Sequence, residues 1–168
     1  RGLEKDGIVY TGFVFFGLIN VGGEPKVIEY NVRMGDPETE AVIPRVKSDL
    51  LEALYAASQG RLGQVNFEID SRAAVTVVMV SGGYPQAYEK GKPIAGLDAV
   101  QGSVVFHAGT KLSPQGEVLT DGGRVLAVTS YADDFRDALV QSYANVDRIH
   151  FEGAYCRRDI GKDLEKML

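Results

Sequence analysis

The sequence predicts an α+β fold, on three observations. Short runs of β-branched and aromatic residues alternate with turn residues, twenty glycines outnumber six prolines, and helical spacing is confined to a few stretches. The chain has 168 residues, 45% hydrophobic and 24% charged, an ordinary globular composition long enough for one domain or two small ones. Eight tyrosines and seven phenylalanines add weight to strands joined by tight turns.

The elements follow in chain order. Tyr10 to Asn20 mixes aromatic and β-branched residues and reads as a strand. Val21-Gly22-Gly23-Glu24-Pro25 reads as a turn, and Lys26 to Arg33 as a second strand, so the two form an antiparallel hairpin. Asp36 is a good N-cap, Pro37 suits a first helical position, and Glu38 and Glu40 complement the helix dipole, which predicts a helix from about Pro37. Pro44 interrupts it. Ser48 and Asp49 restart helical spacing through Leu50, Leu51, Leu54 and Tyr55 until Gly60, giving two short consecutive helices.

Residues 61–73 are more polar and read as a linker between a first domain, 1–60, and a second, 74–168. In the second, Ala74 to Val80, Ser103 to His107 and Val125 to Ser130 read as strands of a small antiparallel sheet. Ala132 to Val146 reads as an amphipathic helix packed on that sheet, through Phe135, Ala138, Leu139, Tyr143 and Val146. The end, residues 161–168, reads as a short frayed helix.

The formal charge of −5 argues against broad nucleic-acid binding, which needs clustered Lys and Arg, but leaves room for a small anion in a local cationic pocket. The single cysteine, Cys156, has no internal disulfide partner, which fits a reducing cytoplasm. No apolar run reaches the ~20 residues that span a bilayer, so no membrane partner is expected. The chain begins at Arg1, not at methionine, which suggests a fragment or processed product.

The chemistry concentrates on the second strand. Its period of two sends Glu29, Asn31 and Arg33 to one face and Ile28, Tyr30 and Val32 to the other, so the apolar face can be buried while the polar face meets a ligand. Same-face neighbours lie ~7 Å apart along a strand, so a carboxylate and an amide oxygen can converge on one hard cation. Arg33 offers a planar fork for phosphate or carboxylate oxygens. The plain alternative is a solvated polar face on an edge strand, and periodicity alone favours it. The following Gly35-Asp36-Pro37-Glu38 weakens that alternative by placing helix amide groups after the arginine, although a well-capped helix accounts for Asp36 and Pro37 as well. Of the later motifs, Ser81-Gly82-Gly83, Ala108-Gly109-Thr110 and Asp121-Gly122-Gly123-Arg124 can present amides to a phosphate, but turns use the same residues. His107, His150 and Cys156 read as structural. A lowered thiol pKa from neighbouring Arg157 and Arg158 is the weighed alternative for Cys156.

Glu29-Tyr30-Asn31-Val32-Arg33-Met34-Gly35-Asp36-Pro37-Glu38-Thr39-Glu40 resembles the signature of the phosphoribosylamine-glycine ligase family, ATP-grasp enzymes of purine synthesis. The resemblance continues through Lys47-Ser48-Asp49-Leu50, Ser81-Gly82-Gly83-Tyr84-Pro85, Tyr88-Glu89-Lys90-Gly91, Phe106-His107-Ala108-Gly109-Thr110, Gly122-Gly123-Arg124-Val125-Leu126 and Arg158-Asp159-Ile160-Gly161. It implies that residues 1–60 end an ATP-grasp lobe and that 74–168 form the family's C-terminal domain. It implies Glu29 and Asn31 as ligands of the Mg²⁺, or Mn²⁺, that accompanies ATP. Arg33 and Asp36 become catalytic candidates, and Gly35, Pro37 and Glu38 substrate-binding candidates. The implied partners are ATP, glycine and 5-phosphoribosylamine. The family's N-terminal domains are missing, so the fragment is expected to be inactive alone and to self-associate through an exposed face around Phe13, Phe15, Phe16 and Leu18. The readings that compete are another ATP-grasp ligase, the purine-pathway carboxylase, biotin carboxylase, and a non-catalytic binding module.

Overall fold

The computed structural model describes residues 2–162 and residue 164. The chain divides into two compact units. The first holds the described residues up to Thr39 together with Val46–Asp70, and the second holds Glu40–Arg45 and the residues from Ser71 onward.

In the first unit, Gly2–Lys5 form one helical turn, α1. β1 (Phe15–Val21) and β2 (Glu24–Asn31) pair antiparallel as the expected hairpin. Gly22 and Gly23 close it at φ 62° and 90°, the left-handed pair that matches strand twist and that side chains resist. Asn20 Oδ1 accepts from Gly23 N–H at 2.8 Å and braces the turn.

The strand limits differ from expectation at both ends. Residues 10–14 stay outside β1, where the Tyr10 hydroxyl donates to Phe13 O at 2.8 Å and folds the segment on itself. β2 stops at Asn31, so Arg33 lies in a bend instead of on the strand. The register also slips. Gly17 faces Glu29 but Leu18 faces Val27, which leaves Ile28 as the extra residue of a bulge. The expected burial of Ile28, Tyr30 and Val32 is not found, since they are 66%, 63% and 73% exposed. The physical reason is that this sheet has two strands, and Tyr30 finds its apolar contact edge-on with Phe16, centroids 5.2 Å apart.

The helix expected from Pro37 begins later. α2 spans Thr39–Val42, and Asp36–Glu38 form a turn, because a residue before proline is steered away from helical torsions. With four residues, α2 offers no helix-dipole site for an anion. Ile43–Arg45 continue as a 3₁₀ turn at Pro44, and α3 (Leu50–Ser58) follows, so the two-helix reading holds. Asp49 caps α3, accepting from Leu51 N–H and Glu52 N–H at 2.8 and 3.1 Å.

The stretch 61–73 is not a free linker. Leu62–Gln64 form a 3₁₀ turn, Val46 bridges Ile69, Lys47 N–H donates to Glu68 O at 2.9 Å, and the Ser48 hydroxyl accepts from Glu68 N–H at 2.6 Å. Backbone pairing therefore ties residues 66–69 to 46–48 in the first unit. An apolar cavity of about 480 Å³ lies between α3 and the segment before β1, lined by Phe13, Leu50, Ala53, Leu54, Leu62 and Phe67 among others.

The second unit is built on the sheet β3 (Ala73–Val80), β4 (Ser103–His107) and β7 (Arg124–Ala132), with β7 in the middle and both neighbours antiparallel to it. β5 (Thr110–Leu112) and β6 (Val118–Thr120) make a small separate hairpin. α4 (Phe135–Val146) starts at Asp134, whose side chain accepts from Arg136 N–H at 2.7 Å, and packs on β3 and β7 as expected. Val125 to Ser130 are all buried, as a central strand requires when both faces are covered. The core joins Val77, Met79, Leu126 and Val128 to Leu139, Val146, Ile149 and Phe151. The terminal helix expected over 161–168 lies for the most part outside the described residues.

Candidate active site

Glu29 and Asn31 do share a face of β2. Asn31 Nδ2 donates to Glu29 Oε1 at 3.0 Å, which holds a carboxylate and an amide side by side at the strand's end. A half-turn of the amide puts Asn31 Oδ1 where Nδ2 stands, beside the carboxylate, the pairing of hard oxygens that a divalent cation takes. Room for Glu29 comes from the opposite strand. A Cβ on Gly17 would sit 2.9 Å from Glu29 Cγ, so glycine at this paired position lets the side chain lie across β1. Neither Gly17 nor the bulge at Ile28 was foreseen, because both depend on register, which one strand's alternation does not contain.

Arg33 is exposed, and its guanidinium donates to Met34 O at 2.9 Å. The structure thus keeps Arg33 near the pair in sequence but off the strand that carries it. Gly35 is buried, and a Cβ there would collide with the Glu38 carboxylate and come within 2.8 Å of the Phe15 ring. Glu38 therefore folds back over Gly35. Asp36, Pro37 and Glu38 are exposed on the turn, whose ends meet where Thr39 N–H donates to Gly35 O at 3.1 Å.

In the second unit the glycine motifs serve packing. Gly109 and Gly122 meet backbone to backbone, and a Cβ on Gly123 would strike the Tyr84 ring. The Ser81 hydroxyl donates to Gly122 O at 2.8 Å, and Asp121 takes Lys111 at 3.2 Å and Lys90 at 3.9 Å. His107 Nδ1 pairs with Thr110 Oγ1 at 3.0 Å, and His150 pairs with Ala95 through the backbone. Burial pushes the Cys156 thiol up from its ordinary value, with Arg158 opposing weakly, so it is an inert core group. Among the described residues, no group of three or more His, Cys, Asp or Glu is arranged to hold a metal. A cation at Glu29 would accordingly take one carboxylate and one amide oxygen from this chain.

Residues 1–39, which include the hairpin and the turn, match the family model described as "Phosphoribosylglycinamide synthetase, ATP-grasp (A) domain", so this part of the chain is of the ATP-grasp class. Residues 74–163 match "Phosphoribosylglycinamide synthetase, C domain". The chain belongs to the phosphoribosylglycinamide synthetase family. It is 52% identical over 163 residues to a phosphoribosylamine-glycine ligase of Chlorobaculum tepidum, and 46% identical over 164 residues to one of Escherichia coli, matches that cover 95% and 96% of this chain. The chain spans 38% of the length of each of these relatives. The crystal structure of phosphoribosylamine-glycine ligase from Thermotoga maritima superimposes with a TM-score of 0.82 at 37% identity, over 94% of this chain and 39% of that one.

Proposed function

We propose that this chain supplies one wall of the active site of an ATP-dependent ligase. That ligase joins glycine to 5-phosphoribosylamine, and its products are glycinamide ribonucleotide, ADP and phosphate, in de novo purine synthesis. The observation that carries the reading is the Glu29–Asn31 pair, held at 3.0 Å just ahead of the Gly35–Glu38 turn. The relatives' names support the reaction.

Glu29 and Asn31 are the residues that would hold Mg²⁺, or Mn²⁺ in its place. Two protein oxygens, one carboxylate and one amide, would suit a hard divalent ion. Such an ion, when bound, neutralises charge on the phosphoryl oxygens. Arg33 contributes a second positive charge, since its exposed guanidinium can leave Met34 O for an anionic oxygen at little cost. In the ligation the glycine carboxylate takes the γ-phosphoryl group of ATP and ADP leaves. The amine nitrogen then bonds to the acyl carbon as the carbon–oxygen bond to phosphate breaks, and the proton it loses passes to the departing phosphate or to water. Asp36 or Glu38 accepts a hydrogen bond from that amine, and Gly35 and Pro37 shape the turn that presents them.

On this reading residues up to about 60 belong to an ATP-grasp lobe and residues from about 74 to the C-terminal domain, a division the two family matches support. The 168 residues alone are expected not to turn over, since the chain spans 38% of the length of these relatives. Self-association through the exposed hairpin belongs to the same reading, as does work in the cytoplasm, which a single buried cysteine suits. No helix of the described residues is long and apolar enough to cross a membrane.

The test is a chimera in which this chain replaces the segment it matches in the Escherichia coli ligase, assayed for glycine-dependent phosphate release. Glu29→Ala and Asn31→Ala are each expected to lower kcat on the order of 100-fold. Parental turnover in both variants excludes the metal role.

A further inference from the structure

Between the end of β2 at Asn31 and the start of α2 at Thr39, the chain carries the candidate residues Arg33, Asp36, Pro37 and Glu38, all exposed. No strand ladder or helix of the described residues holds this stretch, and fixing loose backbone costs conformational entropy. A reacting site needs its groups placed beforehand, so the stretch needs other ties.

Two side-chain hydroxyls supply them. The Tyr10 hydroxyl lies 2.8 Å from Phe13 O and 3.2 Å from Val32 O, so one phenolic hydrogen is shared between the approach to β1 and the residue just before Arg33. Gly12 permits this fold-back, with φ at 149° and a Cβ position only 2.8 Å from Tyr10 Oη. At the other end Thr39 grips Gly35 O twice, through its hydroxyl and through its N–H at 3.1 Å. This closes the turn around Asp36-Pro37-Glu38, while Phe15 and the folded-back Glu38 leave Gly35 no room for a side chain.

We propose that Tyr10 and Thr39 are positioning residues, which clamp the stretch from Val32 to Glu38 by two of its carbonyls and so fix where Arg33, Asp36 and Glu38 stand. The proposal rests on the reading of that stretch as the phosphate-facing and amine-facing wall. Each residue acts through a backbone carbonyl and has an apolar body that Phe or Val reproduces, so removing the hydroxyl alone tests placement.

In the Escherichia coli chimera, Thr39→Val is expected to lower kcat about 10- to 100-fold and Tyr10→Phe about tenfold, with KM for ATP and the thermal midpoint unchanged. Thr39→Ser keeps the hydroxyl and recovers most of the loss. Parental kcat in Thr39→Val and Tyr10→Phe overturns the clamp, as does a Thr39→Ser variant no faster than Thr39→Val. Glu29→Ala and Asn31→Ala, assayed beside them, separate the two ideas. If these two silence the chimera while the clamp variants run at full rate, the clamp is wrong and the metal-site reading stands. If they turn over normally, that reading fails and takes the clamp with it.

Discussion

Asn145 is 2% exposed on α4, and every polar atom of its side chain is used. Oδ1 accepts from Gln101 N–H at 3.1 Å and from Arg148 at 2.9 Å, while Nδ2 donates to Gln101 O at 2.8 Å and to Ser103 Oγ at 2.6 Å. Ser103 in turn meets Ser130, which meets Ser142, so a chain of hydroxyls, half-buried at Ser103 and buried at Ser130 and Ser142, ties α4 to β4 and β7. Cutting such a network leaves buried donors and acceptors unpaired, at about 1–3 kcal/mol each. Asn145→Ala is therefore expected to lower the stability of the second unit by about 2–4 kcal/mol, measured on that unit's transition in urea unfolding of the 168-residue chain. A change below about 0.5 kcal/mol, the level of an ordinary surface substitution, contradicts this account of the network. The sequence shows Asn145 only as a polar residue between the apolar Leu139, Tyr143 and Val146. The shared face of Glu29 and Asn31 was legible because strand alternation is local. Gly17, which makes room for Glu29, was not, because its role exists only opposite a partner strand.

Elements were legible where local pattern and tertiary environment agree. Ser103–His107 and the β3 and α4 stretches came out at or within a few residues of their expected limits, since each has a core to pack on. β5 and β6 are three residues each and too short to show a period. The helix at Pro37 failed for a different reason. Its capping signals are real, but Asp36 before proline and the Gly35–Thr39 closure make a turn of the residues meant for its first turn. The β1–β2 hairpin shows the opposite mismatch, a clear pattern without the expected burial. Phe16, Leu18, Ile19, Val27 and Ile28 stay exposed, and among the described residues both strands have an unpaired edge. The isolated chain is expected to associate through this hairpin. Light scattering across a concentration series should show the mass rising above one chain, and a single-chain mass throughout would refute it.

Across the whole molecule, burial is uneven. Almost all fully buried apolar side chains among the described residues, Val77, Val125, Leu126 and Val128 foremost, belong to the second unit, whereas the first contributes Ala53 and Ala56. Stability follows buried apolar area at about 25 cal/mol per Å², so the two units should not share one transition. Hydrogen exchange is expected to release the β1–β2 amides well before those of β7, and equal protection in both would show one cooperative unit. The family's division into an ATP-grasp part and a C domain runs along similar lines, with residues 40–45 grouping with the second unit through contacts such as the Thr129 hydroxyl on Glu40 O at 3.0 Å.

On the proposed reading, Glu29 and Asn31 together hold the cation that accompanies ATP. Mn²⁺ can be used to follow it, because it replaces Mg²⁺ on oxygen ligands and reports its own binding by electron paramagnetic resonance. Titration of Mn²⁺ with ATP into the Escherichia coli chimera should give a dissociation constant that rises about tenfold or more in Glu29→Ala and in Asn31→Ala. Parental Mn²⁺ affinity in both variants would contradict the account.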